Sequence, residues 1–218
     1  MARILVVLPD PVEAKLLDRY LRTCGHTPIL AATGHEGVTA AKVSSADLIV
    51  LDWAIPDMTY AEAIRGLTGA PETRSVPVVA LSHRTDEVDR IVGFELGASD
   101  YVTKPYSVRE LVLRINAILR RARPDPRAAS IIDLGRLRID RAGYRVWVDD
   151  REVDLTLLEL NLLLALYVGR SRVQTRAVLL EGVWGMDASI TTRTVDTHVK
   201  RLRDKLGPLG QYVETVRG

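Results

Sequence analysis

Cysteine is almost absent: Cys24 stands alone in 218 residues, so no internal disulfide can form and a reducing, cytoplasmic setting is expected. Cys24 itself reads as a half-buried thiol at a helix end. Long apolar runs are lacking as well. None approaches the about 20 residues that a membrane-spanning helix needs, so no membrane partner is expected. After Met1-Ala2-Arg3 the apolar run covers only Ile4 to Leu8, too short for a secretory leader and without a cleavage signal. Repeats, low-complexity tracts, a Gly-rich nucleotide loop and a nucleophile–base pair are missing, which argues against an enzyme acting on a diffusible substrate. His26, His35 and His83 show no metal-ligand spacing and read as surface or loop residues. Thr33-Gly34-His35-Glu36-Gly37 reads as a strand-to-helix turn.

Net charge is also small, at +2, but it is unevenly divided. Residues 1–121 carry 14 Lys/Arg against 15 Asp/Glu, and residues 122–218 carry 16 against 13. The basic excess bunches at Arg193, Lys200, Arg201, Arg203 and Lys205, and a local basic helix matters more for nucleic-acid binding than whole-chain charge.

What the first half does contain is alternation. Ile4–Leu8, Leu48–Leu51 and Val76–Leu81 are continuous apolar runs of the kind found in strands covered on both faces. Pro28–Ala32 and Asp100–Thr103 are weaker strands. Between them lie helical patterns. The first starts at Asp10, with Pro11 at the first helical position and Glu13 completing a capping-box-like pair. It places Val12, Leu16, Leu17, Tyr20 and Leu21 on one face and stops at Gly25. Another runs from about Ser107 with Leu111, Ile115, Ile118 and Leu119 as its stripe. Five such repeats predict an α/β doubly wound, five-stranded parallel sheet over 1–121.

Residues 122–130, rich in Pro and small residues, read as a linker. Residues 131–218 form a second domain. Short alternating segments at Leu137/Ile139, Tyr144–Val148 and Val153/Leu155 predict a small antiparallel sheet. Three helices follow: Leu157–Val168 behind a Thr156/Glu159 capping box, one capped by Thr175 and running through Trp184, and one from Thr191 or Thr192 to about Leu206. In the last, Val195, Val199, Leu202 and Leu206 face a core. Arg193, Thr194, Thr197, His198, Lys200, Arg201 and Asp204 are left for the surface, where Arg and Lys suit phosphates and guanine edges.

Val183-Trp184-Gly185, Arg193-Thr194-Val195-Asp196-Thr197-His198-Val199 and Arg201-Leu202-Arg203 closely resemble the OmpR/PhoB-type winged-helix family. That resemblance implies an α+β winged helix-turn-helix domain whose third helix enters the DNA major groove. It makes Arg193, Thr197, Lys200, Arg201 and Arg203 the contact candidates. Asp196 and His198 are weaker, since either can tie the helix to its neighbours instead. The family continues past Val-Arg-Gly into a Gly-Tyr-Arg strand, whereas this sequence stops at Gly218. The final wing strand is therefore expected to be missing.

The first half resembles the receiver domain of response regulators, flavodoxin-like in fold, through Leu51-Asp52-Trp53, Leu81-Ser82 and Asp100-Tyr101-Val102-Thr103-Lys104-Pro105. The resemblance implies that Asp52 accepts a phosphoryl group, that Ser82 and Tyr101 are switch residues, and that Lys104 is the cation beside Asp52. It also implies a cis Lys104-Pro105 bond, a sensor histidine kinase as partner, and a homodimer built on Arg90 with Glu110 and Asp100 with Arg114. Receivers hold Mg²⁺ with an acidic pair at the end of the first strand. Here that place reads Leu8-Pro9-Asp10, leaving Asp10 and Asp52 as the metal candidates and Asp57 as a substitute. Tyr60 stands where the family commonly has glycine. The expectation is a dimeric DNA-binding transcription regulator controlled without ordinary Mg²⁺-dependent phosphorylation. Conventional phosphorylation at Asp52, or a pseudo-receiver interaction module with weak DNA binding, are the alternatives.

Overall fold

A computed structural model describes residues 1–122, 131–141, 143–184 and 193–216, with only the backbone at 87, 121, 122 and 193. The chain divides into two compact units, Met1–Ala122 and Arg123–Gly218. The linker expected at 122–130 lies, apart from its first residue, outside the described residues.

In the first unit the elements run β1 (Arg3–Val7), α1 (Pro11–Thr23), β2 (Thr27–Ala31), α2 (Gly34–Ser44), β3 (Leu48–Asp52), α3 (Tyr60–Thr68), β4 (Val78–Ser82), α4 (Glu87–Glu95), β5 (Asp100–Thr103) and α5 (Val108–Ala122). The strands form one parallel sheet in the order β2-β1-β3-β4-β5. Apart from Arg3, Asp52 and Ser82 at their ends, β1, β3 and β4 are apolar because both faces are covered: Ile4, Leu5, Val6, Val7, Ile49, Val50, Leu51, Val79 and Ala80 are all fully buried. Each fully buried Val, Leu or Ile side chain contributes about 1.5–3 kcal/mol, so these runs supply a large share of the unit's core.

Two details differ from the sequence expectation. In α1 the buried residues are Ala14, Leu17 and Leu21, while Val12 and Leu16 are exposed. The buried stripe is narrower than the apolar pattern suggested, because only the i, i+3, i+7 positions meet the sheet. Cys24, which caps the C-terminus of α1, is exposed rather than half-buried.

The second unit begins with an antiparallel sheet in the order β6 (Ile131–Asp133), β7 (Leu137–Asp140), β8 (Arg145–Val148) and β9 (Arg151–Val153). Then come α6 (Leu157–Val168), α7 (Arg176–Leu179) and α8 (Arg193–Leu206). Thr156 and Glu159 make the capping box in both directions, so α6 starts where the sequence placed it. The second helix is not uniform: α7 gives way at Leu180 to a π-helical turn through Trp184. The threonines expected to open α8 lie outside the described residues. Val195, Leu202 and Leu206 are buried as expected, but so are Thr194 and His198, which the sequence had placed on the surface. His198 packs its ring against Trp184, with centroids 5.4 Å apart. Among the described residues no strand follows α8, only a 3-10 turn over Gly207–Tyr212.

Candidate functional site

Parallel strands bring their C-terminal ends to one edge, and the chemistry of α/β folds collects there. β3 ends on Asp52, β4 ends on Ser82, and Lys104 follows β5. The backbone locks these ends in register, with Trp53 N donating to Leu81 O at 2.7 Å and Lys104 N donating to Ser82 O at 2.7 Å. Asp52 is buried. Its Oδ1 accepts the Ala54 amide at 2.8 Å and its Oδ2 accepts Lys104 Nζ at 2.5 Å. The same ammonium donates to Glu13 Oε2 at 2.6 Å, and Tyr106 donates its hydroxyl to Glu13 Oε1 at 2.6 Å. The Lys104-Pro105 peptide is cis.

Glu13 is thus not a capping-box partner. Asp10 does cap α1, accepting the Val12 amide at 2.8 Å and the Glu13 amide at 3.4 Å. The Glu13 side chain instead turns to Lys104, because an ammonium in a largely dry pocket attracts a second carboxylate more strongly than a solvated backbone amide does. Burial alone would push the Lys104 ammonium down, but its hydrogen bonds and proximity to Asp52 and Glu13 hold it above its ordinary value. Burial, then the bond to Glu13, pushes the Tyr106 phenol up. Neither Glu13 nor Tyr106 was singled out for the pocket from sequence, since a contact spanning 91 residues leaves no local pattern.

The side chains at this edge offer few uncommitted donors to Mg²⁺. Leu8 and Pro9 present no side-chain oxygen, Asp10 is exposed and engaged at the helix end, and both Asp52 oxygens are taken. Among the described residues no cluster of three or more His, Cys, Asp or Glu is placed to hold a metal ion. Mg²⁺ keeps several waters and takes one or two carboxylates, and the two at this edge, Asp52 and Glu13, are both bonded to Lys104. Nor does Asp57 substitute. It caps α2, accepting the Gly34 amide at 2.7 Å and the His35 amide at 2.9 Å, and it pairs with His35 Nδ1 at 2.6 Å. The His35 amide, with the Gly34 amide and the His35 ring, holds the Asp57 carboxyl down at about 2 despite some desolvation.

An aromatic group flanks the pocket. Tyr101 is buried and donates its hydroxyl to Arg84 O at 3.0 Å. Trp53, next to Asp52, stacks on Tyr60 with centroids 4.2 Å apart and 6° between planes, and meets Tyr101 edge-on at 5.9 Å. Tyr60 fills space that a glycine would leave open. Gly93 in α4 makes room from the other side: a Cβ there would lie 2.9 Å from the Tyr101 ring and 3.4 Å from Trp53. Ser82 is buried and accepts the Arg84 amide at 3.1 Å.

On the edge formed by β5 and α5, Arg114 donates to Glu110 at 3.0 and 3.1 Å and to Asp100 at 3.5 Å. The charges expected to pair across a dimer are therefore partly paired within the chain. Arg90 Nε is buried without a hydrogen-bond partner among the described residues.

In the second unit the residues expected to read DNA separate into groups. Lys200 and Arg201 are exposed and Thr197 is half-buried, all on α8. The Arg193 side chain lies outside what is described. Asp196 accepts Arg176 Nε at 2.9 Å, tying α8 to α7. Arg203, another of the expected contacts, is engaged within its own unit. It donates to Val213 O through Nε at 2.7 Å and again through a terminal nitrogen, and to Thr215 Oγ1 at 2.8 Å, clamping the segment after α8. Lys205 donates to Glu159 Oε2 at 2.7 Å, so the capping carboxylate of α6 also anchors the end of α8.

A five-stranded receiver-type sheet with an Asp–Lys pair at its C-terminal edge, followed in the chain by a domain that carries a basic helix, defines a receiver coupled to a DNA-binding output. The family models agree. A response regulator receiver domain matches residues 4–116, and the C-terminal domain of transcriptional regulatory proteins matches residues 150–218. The chain is 37% identical to the phosphate regulon transcriptional regulatory protein PhoB of Rhizobium meliloti, over 100% of this chain and 96% of that protein. It is 40% identical to the DNA-binding response regulator MtrA of Mycolicibacterium smegmatis, over 99% and 94%. Among solved structures it resembles a mutant of RitR (29% identity, 100% and 96% coverage, TM-score 0.77). It also resembles DrrB, an OmpR/PhoB homologue of Thermotoga maritima (29%, 100% and 94%, TM-score 0.52). This chain belongs to the OmpR/PhoB-type response regulators and is a DNA-binding transcriptional regulator. No described helix is long and apolar enough to cross a membrane.

Proposed function

We propose that this regulator binds DNA as a dimer and is controlled in the cytoplasm without ordinary Mg²⁺-dependent phosphorylation. The observation that carries this reading is the pocket: the acidic pair is Leu8-Pro9, and Lys104 already stands in contact with Asp52 and Glu13. Two carboxylates around one ammonium leave a hydrogen-bonded cluster of net charge −1, in which Lys104 already occupies both acids that a divalent ion would need. In the output domain, Arg193, Lys200 and Arg201 meet phosphates or base edges, with Thr197 in support, and Arg203 braces the helix they stand on. The face bearing Arg90, Asp100, Glu110 and Arg114 joins two copies and brings two domains onto adjacent half-sites. No substrate is turned over.

Intact mass after incubation with a small acyl phosphate and Mg²⁺ tests the control mechanism, with Asp52→Asn beside it. An unchanged mass is expected. A gain of one phosphoryl group that disappears in Asp52→Asn would make the protein a conventional switch driven by a sensor histidine kinase, a reading favoured by the retention of Asp52, Ser82 and Lys104. Charge reversal in Arg114→Glu is expected to weaken cooperative operator binding, and undiminished cooperativity would remove this face as the interface.

A further inference from the structure

We propose that Glu13 is a positioning residue that holds Lys104 as the pocket's resident cation, the Glu13–Lys104–Asp52 triad standing where receivers place a metal ion. The proposal deepens the phosphorylation-independent reading above and rests on it. Three observations carry it. Both Glu13 oxygens are engaged, one by Lys104 and the other by Tyr106, so the carboxylate is oriented rather than resting on the ammonium by chance. The Lys104 and Asp52 side chains are each 7% exposed and Glu13 is 22% exposed, so water screens these contacts far less than those of a surface pair. The three charges come from α1, β3 and the turn after β5, so the triad joins elements that the sheet alone leaves separate at this edge.

The sign of the effect distinguishes this role from ordinary packing. With Lys104 present, Glu13 satisfies a buried ammonium. With Lys104 replaced by an apolar side chain, Glu13 and Asp52 become two like charges sharing a dry site, and removing one of them is then favourable. A carboxylate that merely packs against its surroundings has the same value in both backgrounds.

The experiment is a double-mutant cycle on the full chain with Glu13→Gln, Lys104→Met and the pair, read by urea denaturation of the receiver. Glu13→Gln alone should lower the urea midpoint by about 0.5 M, from the loss of a charged hydrogen bond. In the Lys104→Met background the same change should raise the midpoint. Equal losses in both backgrounds would overturn the proposal. Repeating the cycle in 10 mM Mg²⁺ supplies the second arm. No Mg²⁺ effect on the wild-type midpoint is expected, and a saturable increase would show a working metal site and overturn the triad as its replacement. Should Lys104→Met not fold, Lys104→Gln keeps the stem and the cycle. Binding of the wild type to duplex DNA is measured separately, so a failure of the functional reading stays distinguishable from a failure of the triad.

Discussion

Arg203 offers a sharp test of how the output helix works, because its type and position suggest one role and its bonds another. A basic residue on the third helix is expected to touch phosphate, yet the Arg203 guanidinium is closed onto Val213 O and Thr215 Oγ1. A lysine or arginine that neutralises a phosphate contributes about −0.9 to the slope of log K against log salt. Lys200→Ala and Arg201→Ala should each make that slope shallower by about 0.9. Arg203→Ala should leave it within about 0.3 of wild type, since no counterion is released at a side chain facing its own backbone. Its cost should appear in folding instead. Charged hydrogen bonds contribute about 1.5–3 kcal/mol, and the half-buried position keeps the expected loss near the lower end, about 1–2 kcal/mol. Fluorescence anisotropy with a labelled duplex between about 50 and 200 mM salt, together with thermal denaturation of the same samples, reads both quantities. A slope reduced by a full contact with unchanged thermal stability would refute the clamp and return Arg203 to the DNA-reading set.

Three further outcomes follow from the receiver and its surroundings. Gly93→Ala ordinarily favours a helix by about 1 kcal/mol, but the added Cβ would press on Tyr101 at 2.9 Å. Overpacking typically costs about 1–3 kcal/mol, so a lower urea midpoint is expected, and a raised one would mean that the aromatic packing yields freely. Asp57 is held at about 2, below the ordinary 3.8, so its stabilising effect is present above pH 4 and is lost as pH falls towards 2. The melting temperature of the wild type should exceed that of Asp57→Asn at pH 5 and approach it by pH 2, and a gap that stays constant would exclude the cap as its cause. Lys104→Met, which leaves two carboxylates unpaired, should cost about 3–5 kcal/mol, the value typical of breaking a buried pair. A loss under about 1 kcal/mol in urea denaturation would show the site to be well hydrated.

The framework was largely legible from the residues. Strands such as Leu48–Leu51 announce themselves because burial on both faces removes polar residues from the run, and Thr156 with Glu159 marks a helix start by spacing alone. Asp52, Ser82 and Lys104 were legible as strand-end residues, and the sheet order brings all three to one edge. Glu13 was misread because the spacing from Asp10 to Glu13 is what a capping box shows, and nothing local records the competing ammonium at Lys104. Thr194 and His198 were misplaced for a related reason. A polar side chain on a helix is assumed to face water unless a neighbour from elsewhere, here Trp184 beside His198, closes over it. The fate of Arg203 depended on a segment ten residues later with no regular structure to predict.

One oxygen of Glu159 receives both the Thr156 amide at the start of α6 and the Lys205 ammonium at the end of α8. Mechanically, this pins the last turn of α8, and any tilt about that point is magnified along the helix. At about 1.5 Å per residue the helix is about 20 Å long, so a tilt of about 3° at the pin moves its far tip, where Arg193 stands, by about 1 Å. A displacement of that size separates a formed hydrogen bond from a lost one. The aim of the tip of α8 therefore depends on how firmly this carboxylate is held at one end, as well as on the Asp196–Arg176 pair and the His198–Trp184 contact nearer the tip.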